Sequence, residues 1–164
     1  MKNIYFLTLC IIFNSLLSYG QMDVSAGVSL YNSHDFNIGL NVGASLKNFY
    51  FDISSNLKGG EGDRLHFNTD TTYNTNKDLK FLINTGYNIS IKENWFITPI
   101  IGFGRTWDIY QSNGARYRYF YRNSKSFINI GLSTKFFLND DVGVIVGAGY
   151  KELFKVSIVY KLWD

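Results

Sequence analysis

The sequence predicts an all-β chain, an eight-stranded antiparallel up-and-down barrel behind a cleaved leader. Three observations carry the prediction. Apolar and polar residues alternate with a period of two through eight segments, a spacing that a helix would scatter around its circumference. Ten of the fifteen glycines lie in those segments, all of them on the polar face. The connections are short at one end of the segments and mostly longer at the other.

Residues 1–20 read as a secretory signal peptide. Lys2 supplies the positive start, Ile4 to Leu17 is largely apolar, and Ser18-Tyr19-Gly20 places small residues before Gln21. The run is too short for a membrane anchor and lacks a stop-transfer flank. Cleavage leaves residues 21–164 as one domain. Cys10, the one cysteine, departs with the leader, so no disulfide, thiolate metal site or thiol nucleophile is expected. The net charge of +3 includes Lys2, and the remainder is too mild to indicate a polyanionic partner.

The segments follow in order. The first sets Val24, Ala26, Val28 and Leu30 against Ser25, Gly27 and Ser29. The second, FNIGLNVGASL at 36–46, alternates without a break. The third sets Phe49, Phe51 and Ile53 against Tyr50, Asp52 and Ser54; the fourth runs from Phe81 to Ile91, with Asn84, Gly86, Asn88 and Ser90 on its polar face. The fifth, from Trp95 to Asp108, contains Pro99, which has no N–H for a ladder, so a bulge or one missing hydrogen bond is expected beside it. The sixth spans 128–138, the seventh 142–150 and the eighth 154–162.

Alternation alone does not say which face points inward. A lipocalin-like barrel buries its apolar face, whereas a membrane barrel turns it outward. Glycine weakens a strand and needs a local reason. A narrow bore supplies one, because the lumen of eight strands admits few large side chains. The apolar face is therefore expected to meet lipid. Leu82, Phe96, Ile100, Phe127, Phe137, Ile145 and Val159 break the pattern on the polar face, at strand ends or as lumen filling.

With a periplasmic N-terminus, the turns KN (47–48), KEN (92–94) and NDD (139–141) are periplasmic. The outer connections are NSHD (32–35), residues 58–78, roughly 110–124, and KEL (151–153). Aromatics collect at both rims as interfacial girdles: Phe49, Tyr50, Trp95, Phe96, Phe136, Phe137 and Trp163 at one end, and Tyr31, Phe36, Trp107, Tyr110, Tyr150 and Phe154 at the other.

Over its whole mature length the chain resembles, by this pattern, the small eight-stranded porin-like outer-membrane barrels of the OmpA/OmpX type. The resemblance implies a monomer in a Gram-negative outer membrane, in contact with lipid and lipopolysaccharide, without a cofactor. It also implies a last strand read by the barrel-assembly machinery, where Ile158, Tyr160 and Leu162 lead to Trp163; here Asp164 follows the terminal aromatic.

Catalysis is not expected. Barrels of this size include a lipid A deacylase and a palmitoyltransferase, but His34 and His66 are the only histidines, and neither has the His-x-Ser context of the deacylase. The acidic stretches GGEGDR and NTDTT lack calcium-loop spacing, so no metal is expected. By parity Asp23, Asp52, Asp108, Lys125, Lys135, Lys155 and Lys161 enter the lumen, where burial requires partners. Adjacent strands suggest Asp23 with Lys161 and Asp108 with Lys125. The set reads as an internal polar plug, with an ion path as the alternative.

The segment GARYRYFYRNSK interleaves arginines with aromatics, a pattern that in another compartment suggests single-stranded nucleic acid. On the outer connection between the fifth and sixth strands it faces the cell surface, so no nucleic acid partner is expected. Arg105, Arg116, Tyr117, Arg118, Tyr119, Tyr121 and Arg122 are candidates for contact with lipopolysaccharide phosphates, with an ordinary rim of snorkelling arginines and aromatics as the alternative. Strand pairing is expected to continue past the membrane surface here. The reading is a closed barrel with a structural or surface-interaction role; a lipid A-modifying enzyme and a narrow channel are the alternatives.

Overall fold

The computed structural model describes residues 21–31, 37–56, 72–112 and 119–163, with the backbone alone at 72–77, 111–112, 119–122 and 163. The signal peptide, His34, His66, Arg116, Tyr117 and Arg118 lie outside the described residues. The chain forms β1 (Met22–Tyr31), β2 (Asn37–Leu46), β3 (Phe49–Ser55), β4 (Thr72–Tyr87), β5 (Ile89–Lys92), β6 (Trp95–Ser112), β7 (Tyr119–Phe137), β8 (Val142–Gly149) and β9 (Glu152–Trp163). Neighbours run β4-β3-β2-β1-β9-β8-β7-β6-β5, and the pairing of β4 with β6 closes the ring. Since β4 and β5 are two segments of one barrel strand, the result is a closed, antiparallel, eight-stranded barrel.

Pro99 explains the division. Pairing of β4 with β6 stops at Gly86↔Ile100 and resumes in phase, between β5 and β6, at Ile89↔Ile97. Pro99 sits in the gap and has no N–H to give. Thr98 Oγ1 donates to Asn88 Oδ1 at 2.6 Å, and Asn88 N donates to Asn48 O at 2.6 Å. On the other side Pro99↔Leu132 pairs without a shift. Of the two expected alternatives, the missing pairing is the one present beside Pro99.

The apolar face points outward. Ile38, Ile130 and Ile158 are each about two-thirds exposed, while Asp52, Asn84 and Asn129 on the opposite parity are fully buried. Several residues that break the alternation fill the bore. Ile100, Phe137, Ile145 and Val159 cluster there with Tyr50, and Phe96 packs against them. Each such side chain contributes about 1.5–3 kcal/mol by leaving water. Glycine makes room at two levels. A Cβ on Gly104 would lie 2.3 Å from the Phe127 ring, and one on Gly102 would lie 2.1 Å from Asn84 Oδ1.

The short-turn end is as expected, with turns at 47–48, 93–94 and 139–141. Lys47 takes a left-handed φ of 54° in the first of them. The other end differs from expectation in two ways. Glu152 begins β9, so the last connection is shorter than KEL. Strand also replaces part of the connection at 58–78, since β4 starts at Thr72; in the connection at 110–124 the pairing of β6 and β7 as far as Gln111↔Tyr119 is the continuation that was expected. Between Thr106↔Lys125 and Asp108↔Arg122 the β7 strand carries one extra residue, and Asn123 absorbs it with a φ of 52°.

Candidate functional site

Two constellations result from this fold: a polar network inside the bore, and a wall of strand beyond its rim. The network centres on Lys155 of β9, which is 1% exposed. Its Nζ binds Asp52 Oδ2 and donates to Tyr50 OH at 3.1 Å, with Glu152 Oε2 at 3.9 Å. It also lies 4.9 Å from the centre of the Tyr50 ring. Asn84 Nδ2 bridges the two carboxylates, at 2.9 Å to Asp52 and 3.2 Å to Glu152. Ser29 Oγ donates to Glu152 Oε1 at 2.5 Å. Asn129 Nδ2 donates to Asn84 Oδ1 at 3.1 Å, while its own Oδ1 accepts from the Lys151 backbone N–H at 2.9 Å. Ser157 Oγ, Asn41 and Ser29 continue the chain at 2.6 and 3.0 Å. Six barrel strands thus share one set of hydrogen bonds, which offsets the desolvation of three charged groups.

A second pair lies nearer the short-turn end. Lys135 Nζ meets Asp23 Oδ2 at 2.6 Å and donates to Ser45 Oγ at 3.3 Å. The Phe96 and Phe137 rings stand 5.0 and 5.5 Å from it. At the opposite mouth Asp78 lies 3.5 Å from Lys80 and accepts from Asn37 Nδ2 at 3.1 Å.

The expected lumen set is therefore rearranged. Asp52 and Lys155 meet directly, and Asp23 and Lys135 meet across the bore. Asp23 does stand opposite Lys161 in the register, yet its Oδ2 takes Lys135, because an eight-stranded bore is narrow enough for a lysine to cross. Lys161 lies 5.6 Å from the Phe137 ring. The expected pairing of Asp108 with Lys125 is displaced by the extra residue in β7: Asp108, half-buried, faces Arg122, and Lys125, exposed, faces Thr106. Glu152 was expected in a loop and is instead buried, so it was missed, along with Asn84, Asn129 and Asn41. The three asparagines all stand on the polar parity of their strands, a signal that would have found them.

The girdle also needs correction. Trp95 and Trp107 face outward, partly exposed, and of Trp163 only the backbone is described. Tyr31, Tyr50, Phe96 and Phe137, expected at the rims, occupy the lumen parity and turn into the bore. Of the arginine and tyrosine candidates, Arg105 is exposed, donates from Nη2 to Ser124 Oγ at 2.7 Å, and stacks 5.7 Å from the Trp107 ring. Tyr119, Tyr121 and Arg122 lie in β7, opposite Gln111, Ile109 and Asp108.

The wall is made of β4, β6 and β7. Pairing of β3 with β4 is confined to residues 81–87 of β4, and that of β8 with β7 to residues 131–137 of β7. One further backbone bond joins each to its neighbour, Asn56 N to Lys80 O at 3.3 Å and Tyr150 N to Ile130 O at 3.0 Å; past these, the backbones of β4 and β7 pair with β6 alone among the described residues, so three strands project past the other five.

No protein-family model matches the sequence, and no curated protein does. Solved structures match the shape. Ail, the attachment invasion locus protein of Yersinia pestis, in complex with the heparin analogue sucrose octasulfate, aligns with a TM-score of 0.60 at 13% identity, over 87% of this chain and 99% of that one. The same Yersinia pestis protein in a phospholipid bilayer nanodisc aligns with a TM-score of 0.57 at 13% identity, over 88% of this chain and 100% of its own. At that identity the likeness is one of fold, and it agrees with the outward apolar face and the short-turn rim: the chain has the fold of the small eight-stranded outer-membrane β-barrels.

Proposed function

We propose that this chain is an integral outer-membrane barrel, closed to ions, that acts at the cell surface through its projecting wall and the connections at 58–78 and 110–124. The observation that carries the reading is the length of β7. Beyond Ile128 and Ile130, whose exposed side chains still belong to the outward apolar face, Tyr119 to Phe127 add roughly 30 Å of strand at about 3.4 Å per residue. A barrel needed only as a membrane plug has no use for such an extension. The arginines of this hairpin, with Arg105 at its base, suit an anionic saccharide surface, and lipopolysaccharide phosphates are the proposed contact. The solved complex of Ail with a polysulfated sugar lends support by analogy of fold.

The filled bore supports the closed-lumen part of the reading, and a non-catalytic role accompanies it. Outer-membrane protein run unboiled in SDS should migrate faster than boiled protein; recovery from the soluble periplasm with no shift would overturn the membrane assignment. Replacing Arg116, Arg118 and Arg122 together with Gln should lower co-purified lipopolysaccharide several-fold, and unchanged content would sink the contact. In planar bilayers no resolved conductance steps are expected.

A further inference from the structure

The outer wall carries a groove of about 330 Å³ that crosses β6, β7, β8 and β9. Short side chains, Thr134 and Ala148 with Val146, lie between the larger Trp95, Leu132 and Phe154. Its few polar atoms are already satisfied. Trp95 Nε1 donates to Thr134 Oγ1 at 2.6 Å, which lays the indole against the wall, and Thr134 Oγ1 donates to Phe96 O at 3.1 Å. The groove therefore offers water nothing and an alkyl chain a fitted surface.

Trp95 also borders a second hollow, of about 610 Å³, at the short turn between β5 and β6. Lys92, Glu93, Asn94 and Phe136 complete it. Lys92 and Glu93, consecutive in the turn and both exposed, bring an ammonium and a carboxylate to this hollow, which shares Trp95 with the apolar groove.

We propose that the two hollows form one binding site for a zwitterionic phospholipid with an ethanolamine headgroup. Its phosphate meets Lys92, its ammonium meets Glu93, and one acyl chain lies in the groove beneath Trp95. Charge complementarity selects the headgroup. An anionic phosphatidylglycerol would satisfy Lys92 but leave Glu93 facing negative charge. A choline ammonium has no N–H with which to reach the carboxylate. The proposal rests on the membrane reading above.

The test uses the full chain with Trp107 and Trp163 replaced by Phe, so that Trp95 alone reports. It is reconstituted in mixed phosphatidylethanolamine and phosphatidylglycerol vesicles, with acyl-chain bromine on one lipid or the other. Brominated phosphatidylethanolamine should quench Trp95 with at least a threefold higher relative binding constant. K92Q/E93Q should bring that ratio close to one, and A148F, which fills the groove, should lower it as well. Equal quenching by the two lipids overturns the site while leaving the membrane reading intact. No quenching by either overturns the membrane reading and the site with it. If the single-tryptophan chain fails to fold, mass spectrometry of detergent-extracted wild type decides. A retained phosphatidylethanolamine that K92Q/E93Q loses supports the site, and none retained overturns it.

Discussion

Lys155 and Lys135 are both buried lysines in one bore, yet their surroundings differ. Lys155 lies between two carboxylates, a phenol and the Asn84 bridge, and every one of these groups is buried. Lys135 has one carboxylate, one hydroxyl and two aromatic rings, and it lies close to the short-turn mouth. Asp23 keeps a second oxygen with no protein partner among the described residues, and at 6% exposed it is less deeply buried than Asp52, at 0%. The difference teaches that an ion pair in such a barrel is defined by what removing one member leaves behind.

That view is open to a direct break. Lys155→Met would leave Asp52 and Glu152 buried without a cation, with a loss of about 3–5 kcal/mol, the range for a stranded buried charge. The urea midpoint in lipid vesicles would report it, and an unchanged midpoint would remove the network from any account of stability. Adding Asp52→Asn sharpens the point: the double variant K155M/D52N should recover more than half of that loss, because one of the two stranded charges is gone. The smallest effect belongs to Lys135→Met, at about 1–2 kcal/mol by the same reasoning with water closer at hand. A loss as large as that of K155M would erase the contrast between the two regions.

Much of the architecture was legible because period two and glycine parity are local signals. Neither FNIGLNVGASL nor the ten strand glycines needed knowledge of a partner strand. The bore contacts were legible only as a set of residues. Asp23 and Lys135 are 112 positions apart, on strands that are not neighbours, so their meeting depends on the bore's width. Glu152 illustrates another limit. One residue beside a connection can belong to the loop or to the strand, and here the Asn129 side-chain oxygen Oδ1 settles the matter by taking the Lys151 backbone N–H. The rim aromatics were misassigned because height along the barrel was weighed without parity; Tyr31 and Tyr50 have girdle height but lumen parity. The extra residue at Asn123 left no sequence mark that alternation could reveal.

The placement of Lys155 also bears on the order of assembly. Lys155 lies on β9 and Asp52 on β3, 103 positions earlier in the chain. Until β9 docks between β8 and β1, Asp52 lacks the Lys155 cation, and burying it alone is costly. Docking brings the cation, Glu152 and the Ser157 hydroxyl together in one step, a strongly non-local event of the kind that slows folding. β9 thus acts as a latch: the barrel closes around the charge of an early strand in the same step that brings the cation neutralising it.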